Sequence, residues 1–142
     1  MMETVPARIL VVDDDPGMLH AVERVLGRKY QVRSVNSADA AFRQMPDFQP
    51  EIAVVDIRLP ESNGFLLTRQ LRLLDPHLDV ILMTGDTDEP DTTLLQAIDE
   101  GAFYFIHKPF DRRVLLALVG RCNELRRLRE AERLYLHTLE QE

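Results

Sequence analysis

The sequence predicts an α/β domain built on a parallel sheet with right-handed crossovers. Three observations carry this expectation. Five short apolar runs recur along the 142 residues, segments of helical period lie between them, and three of the runs are almost continuously apolar. Strands buried on both faces of a parallel sheet read as continuous runs rather than as alternation. Strand followed by helix, five times over, then selects the parallel α/β class.

The first run is Ala7-Arg8-Ile9-Leu10-Val11-Val12. A helix is expected over 16–28, with Asp15 as N-cap, Pro16 at its start, and Met18, Leu19, Val22, Val25 and Leu26 on one face. The second run, Tyr30–Val35, alternates and suits an edge strand. A second helix over 37–45 has Ser37 as cap and turns Ala38, Ala41, Phe42 and Met45 inward. The third run is Ile52–Val55, followed by a helix over 63–74 carrying Phe65, Leu66, Leu67, Leu71 and Leu74, for which Ser62 is the available cap. The fourth run is Val80–Met83, followed by a helix over 90–100 that Gly101 ends. The fifth run is Phe103–Ile106. The last helix starts at Asp111 and reaches about residue 139, about 43 Å at 1.5 Å per residue, too long for the domain alone.

Charge divides the chain. Residues 1–120 carry 19 acids and 12 basic residues, a balance of −7, whereas residues 121–142 carry five of each. An acidic domain does not grip nucleic acid or an anionic membrane by bulk charge. No run approaches the roughly 18 apolar residues of a membrane span, and the opening residues do not read as a signal peptide. The single cysteine, Cys122, allows no intrachain disulfide and fits a cytoplasmic setting. Asp99-Glu100 and the acids at 86–91 read as solvated surface. Asp13-Asp14-Asp15 does not, because three adjacent carboxylates directly after an apolar run repel one another unless a cation compensates. Of the 17 basic residues only Lys29 and Lys108 are lysines, so Lys108, beside Pro109, stands out as a compact charge on a flexible stem.

Placing these residues against the runs gives a site. Asp13 and Asp14 follow the first run, Asp56 the third, Thr84 the fourth, and Lys108 the fifth after one residue. All therefore stand at carboxyl ends of parallel strands, where ligands of open α/β sheets bind. Three carboxylates suit a hard divalent cation, most simply Mg2+. A lysine and a hydroxyl beside it suit a phosphoryl group. A carboxylate can itself accept that group as an aspartyl-phosphate.

These stretches resemble the receiver domains of two-component response regulators, the chemotaxis-type phosphoacceptor module. The matching segments are Ile9–Pro16, Val54–Pro60 with Asn63-Gly64, Leu82–Gly85, Gly101-Ala102 and Lys108–Phe110. The resemblance covers about residues 7–122. It implies a flavodoxin-like sheet of order 2-1-3-4-5, an order already noted for such regulators. It implies Asp56 as phosphoacceptor, loaded from a sensor histidine kinase or a phosphotransfer protein of a phosphorelay. Asp14 and Asp56 would be direct Mg2+ (or Mn2+) ligands, Asp13 a ligand through water, and the main-chain carbonyl of Arg58 a further one. Lys108 would contact the phosphoryl group, with a cis bond to Pro109. Thr84 and Phe105 would be the switch pair, read out on the face of the fourth helix, fifth strand and fifth helix. Two positions depart from the common pattern: Asn63 stands where an acid is frequent, and Gly85 where alanine is. Arg58 and Asp86, at positions by the mouth of the pocket, are expected to pair and restrict attacking water.

Two other readings are open to test. A turnover hydrolase working through an aspartyl-phosphate would need a further general acid and a capping segment, and neither is apparent. A phosphorylation-independent interaction module is disfavoured by the presence of the full site. The expected organisation is a lead over 1–6, the receiver over 7–122, and a helical extension over 123–142. Leu125, Leu128, Leu136 and Leu139 offer the extension a seam that Arg129 and Glu132 interrupt. It is expected to promote a homodimer or to lead into an output domain outside this chain, with no direct contact to nucleic acid or membrane.

Overall fold

The computed structural model describes residues 5–85 and 89–141. In chain order the elements are β1 (Arg8–Val12), α1 (Pro16–Leu26), β2 (Gln31–Val35), α2 (Ala38–Phe48), β3 (Ile52–Asp56), β4 (Arg58–Leu59), β5 (Ser62–Asn63), α3 (Gly64–Leu74), β6 (Asp79–Thr84), α4 (Pro90–Asp99), β7 (Tyr104–His107) and α5 (Arg112–Glu140). The main sheet has five strands in the order β2-β1-β3-β6-β7, and every pair is parallel. Counting only its own strands, this is the order 2-1-3-4-5.

Helices cover both faces, which explains the continuous apolar runs. Leu10, Val12, Ala53, Val55, Val80 and Leu82 point to one face and pack under Ala41, Met45, Leu67, Leu71 and Ala97 from α2, α3 and α4. Their strand neighbours Ile9, Val11, Ile52, Val54, Ile81 and Met83 point the other way, against Val22 and Leu26 of α1 and Leu115, Val119 and Cys122 of α5. Side chains alternate across a strand, so both registers must be apolar when both faces are covered. The edge strands β2 and β7 are less buried. In α5 the Cys122 thiol is held in this core, where burial, and then the negative charge of Asp79, push it up to about 12. It is a packing group and not a nucleophile.

Helix ends follow local chemistry, with two departures from expectation. Asp15 caps α1 by accepting from the Gly17 N–H, Ser37 caps α2 through the Ala40 N–H, and Asp111 caps α5 through the Arg113 N–H. The third helix, however, is capped by Asn63, which accepts from the Leu66 N–H at 2.8 Å. Ser62 lies instead in a two-residue antiparallel ribbon, where Leu59 pairs with Ser62 around Glu61 at φ 58°. Nothing in the apolar periodicity signals so short a ribbon. The second helix runs past Pro46 to Phe48 and closes on Gln49, whose N–H reaches the Met45 carbonyl and whose left-handed backbone at φ 50° then turns the chain out of the helix. Burial of Met45 and Phe48, with the Arg33 guanidinium 4.7 Å from the Phe48 ring centre, offsets the hydrogen bond that Pro46 cannot donate. On the surface, Glu100 is not simply solvated, because Arg69 Nε donates to its carboxylate at 2.7 Å as part of a two-pronged pair.

Gly64 ties this local geometry to the sheet. Its N–H donates to the Ile57 carbonyl at 2.9 Å, and a Cβ there would lie 2.4 Å from the Asp56 carbonyl oxygen and 2.7 Å from the Ile57 Cα. The start of α3 therefore rests directly on the backbone that carries Asp56. Among the described residues no helix is long and apolar enough to cross a membrane. Gly64→Ala is expected to lower the stability of the domain by at least about 2 kcal/mol, since the obstructing atoms are backbone that cannot turn aside. The denaturant midpoint, at unchanged m-value, is the measurement.

Candidate phosphoacceptor site

The carboxyl ends of four strands converge on one small volume. Asp13 follows β1, Asp56 closes β3, Thr84 closes β6 and Lys108 follows β7. The ends are aligned by the sheet itself: the Asp13 N–H donates to the Val35 carbonyl at 3.2 Å, the Ile57 N–H to the Met83 carbonyl at 3.1 Å, and the Lys108 N–H to the Thr84 carbonyl at 2.6 Å. The Lys108–Pro109 peptide bond is cis.

Lys108 links two of the carboxylates. Its Nζ donates to Asp13 Oδ2 at 2.7 Å and to Asp56 Oδ2 at 2.9 Å. The remaining oxygens are also engaged. Asp13 Oδ1 accepts from the Asp15 N–H at 2.9 Å, and Asp56 Oδ1 accepts from the Arg58 N–H at 3.0 Å. These short turns orient each carboxylate from its own loop. Asp13 is fully buried and Asp56 nearly so, whereas Asp14 is exposed.

The electrostatics record the crowding. Burial raises the Asp13 carboxyl above its ordinary value, and the neighbouring Asp56 charge adds to this. The Lys108 contact and the Asp15 N–H oppose the rise without cancelling it. Burial alone would lower the Lys108 ammonium, but the hydrogen bonds and charges of Asp13 and Asp56 together outweigh it, and the group is held above the ordinary lysine value. Lys108 is thus a permanent cation here.

Asp13, Asp14 and Asp56 each offer a carboxylate oxygen, all within 4.8 Å of one another. Lys108 contacts only two of these three carboxylates, Asp13 and Asp56. An all-oxygen donor set with an open, exposed side at Asp14 suits a hard divalent cation that keeps part of its water shell. The residues present therefore fit Mg2+.

Thr84 is buried, and its Oγ1 donates to the Ile106 carbonyl only at a long 3.5 Å. Phe105 lies away from the carboxylates, half-buried against the core of α2, α3 and α4, with its ring stacked on Tyr104 at 5.5 Å between centres. Register nevertheless relates the two: Leu82 pairs with Phe105 and Thr84 with His107, so Thr84 and Phe105 face the same side of neighbouring strands. Arg58 is exposed beside the site, and Asp86 lies outside the described residues. Sequence reasoning assigned no role to the Arg58 N–H or to Gly64, although the Asn63-Gly64 pair after Asp56 was the available sign of a close backbone approach.

Comparison with known proteins agrees with this geometry. The family model described as "Response regulator receiver domain" matches residues 9–120. The C4-dicarboxylate transport transcriptional regulatory protein DctD of Pseudomonas aeruginosa is 38% identical over 126 residues, which cover 85% of this chain and 26% of that protein. The chain thus spans about a quarter of the length of that relative. Among solved structures, NtrX from Brucella abortus, crystallised with ADP, superposes with a TM-score of 0.82 at 30% identity over 89% of this chain and 29% of that one. A CheY-like response regulator receiver domain protein from Methanospirillum hungatei superposes with a TM-score of 0.80 at 26% identity, over 87% of this chain and 98% of that one. With its five-stranded parallel sheet, its acidic cluster at the strand ends and a family match over most of its length, the chain belongs to the response regulator receiver domains of two-component signalling.

Proposed function

We propose that Asp56 accepts a phosphoryl group from a phosphohistidine on a sensor histidine kinase or phosphotransfer protein, as one step of a phosphorelay. The observation that carries this reading is the shared Lys108 ammonium, 2.9 Å from Asp56 Oδ2 and 2.7 Å from Asp13 Oδ2, beside a carboxylate triad that fits Mg2+. In the transfer, an Asp56 carboxylate oxygen forms a bond to phosphorus as the bond from phosphorus to the histidine nitrogen breaks. Asp14 and Asp56 would hold the cation directly, Asp13 through water, and the Arg58 carbonyl would add a main-chain oxygen. Bound there, Mg2+ supplies charge neutralisation for the incoming phosphoryl oxygens. The Arg58 N–H and Lys108 hold the Asp56 carboxylate in place before transfer. Lys108 then passes from the carboxylate to a phosphoryl oxygen, which keeps its charge compensated.

Thr84 is the group most easily recruited by the new anion. Its present hydrogen bond is long, so turning the hydroxyl toward a phosphoryl oxygen forfeits little. Phe105, on the same side of the adjacent strand, follows by turning inward, and the face of α4, β7 and α5 reports the change. That face carries exposed Leu95, Ile98, Tyr104 and Val114. The receiver occupies about residues 7–122 and acts as an acceptor that loses its phosphoryl group slowly. Residues 123–142 form an extension that promotes a homodimer or leads to an output domain, in a cytoplasmic protein.

Incubation with acetyl phosphate and Mg2+ is expected to give about one base-labile phosphate per chain, absent in Asp56→Asn and absent with chelator. Sustained release of inorganic phosphate with no labelled protein would instead favour a hydrolase, and no labelling at all a phosphorylation-independent module. Arg58 acts at the pocket mouth, together with Asp86, to restrict attacking water. Accordingly, Arg58→Ala is expected to shorten the lifetime of the phosphorylated form several-fold, and an unchanged decay rate rejects that role. Sedimentation over a concentration series should show a dimer that is lost on truncation after residue 122. A monomer throughout, with and without a phosphoryl analogue, rejects the role of the extension in pairing.

A further inference from the structure

Beyond Cys122 the helix α5 runs out of apolar core, yet it stays attached to the domain. Arg126, Arg129 and Arg133 lie three and four residues apart and so share one stripe of the helix. Arg126 Nη2 pairs with Glu51 Oε2 at 2.7 Å and also donates to Asn123 Oδ1 at 3.1 Å. Arg129 pairs with the Asp79 carboxylate, and Arg133 Nη1 donates to His77 Nε2 at 3.0 Å. The three partners stand together in the fold. Glu51 directly precedes β3, Asp79 opens β6, and His77 lies in the turn between α3 and β6. All are at the amino-terminal end of the sheet, opposite the carboxylate site.

The Arg126–Glu51 and Arg129–Asp79 pairs differ from ordinary surface ion pairs, whereas the Arg133–His77 contact is exposed. The Asp79 side chain is only 7% exposed and that of Arg126 only 15%, whereas both partners of Arg133–Glu130 are about half exposed. Exposed pairs on a helix contribute little, but shielded ones select one geometry, because every other arrangement leaves a buried charge unpaired. A cost is visible too: Arg126 Nε is buried without a hydrogen-bond partner among the described residues. Beside the clamp lies a groove of about 1170 Å3, lined in part by Phe42, Met45, Pro46 and Pro76. The extension therefore stands off the apolar part of the domain and is held through its arginines.

We propose that this arginine ladder is a clamp that fixes the direction and the rotation of the carboxyl-terminal helix relative to the sheet. At 100° per residue, Leu128, Tyr135 and Leu139 lie roughly 130° around the helix from the ladder. All three are exposed and point away from the domain, whereas Leu136, also exposed, lies only about 50° from the ladder. The ladder gives whatever is fused to, or paired with, the helix a defined orientation. The proposal does not depend on phosphoryl transfer at Asp56.

Amide hydrogen exchange of the full chain, with β1 as internal reference, tests it. Residues 124–136 are expected to be protected, and equally so across a range of protein concentrations at which sedimentation shows a monomer. Arg129→Gln should raise exchange in that segment by about tenfold, the factor implied by losing one charge-assisted hydrogen bond, and leave β1 unchanged. Asp79→Asn should do the same from the other side. If it loosens β1 as well, Arg129→Gln, which alters a half-exposed side chain, is decisive. Protection that is the same in the Arg126→Gln/Arg129→Gln double variant overturns the clamp. So does protection that appears only as concentration rises, since that belongs to pairing between copies.

Discussion

The Lys108 ammonium, shared between Asp13 and Asp56, is the contact on which the functional end of the molecule depends. It reaches back over 95 residues to Asp13 and over 52 to Asp56, and it joins the ends of β1, β3 and β7. Without it three carboxylates would face one another in a partly buried space at a cost that rises steeply as water is excluded. With it, Asp13 and Asp56 share one compensating charge, and together with Asp14 they form an all-oxygen cluster whose chemistry fits a divalent cation.

Everything around the contact serves to hold it in place. The central strands β1, β3 and β6 are buried on both faces, so their positions are set by two cores at once. The turn after β3 is fixed from below by Gly64, which allows α3 to start against the Asp56 backbone, and from above by the Arg58 N–H on Asp56 Oδ1. Thr84 is the exception. It is buried, yet its hydroxyl reaches the Ile106 carbonyl only at 3.5 Å. The opposite end of the sheet has its own ionic contacts, made by the arginines of α5 with Glu51, Asp79 and His77. The two ends share strands β3 and β6, so the domain is bracketed by charge at both ends of its most buried elements.

Much of this was legible in the residues. The unbroken apolar runs gave away double-sided burial at Ile9–Val12, Ile52–Val55 and Val80–Met83, and the alternation of Tyr30–Val35 an edge strand. Asp15 and Ser37 were readable as caps because capping is local, and Asp111, expected as the start of the last helix, is its cap. The errors were local contests decided by tertiary contacts. Asn63 rather than Ser62 caps α3 because Ser62 is drawn into the ribbon with Leu59. The helix α2 passes Pro46 because Phe48 has a buried place to fill.

The sequence by itself determined the fold class, the inventory of the site and the side of the sheet on which it lies, since these follow from periodicity and from which residues end each apolar run. Only the tertiary structure decided how those residues meet. That one lysine serves both Asp13 and Asp56, that Gly64 must lack a side chain, that Glu100 is paired with Arg69, and that the arginines beyond Cys122 reach back to Glu51, Asp79 and His77 are all contacts between residues distant in the chain. Local pattern reports what a segment can bury or cap. Which charge neutralises which depends on distances that exist only once the strands have been brought side by side.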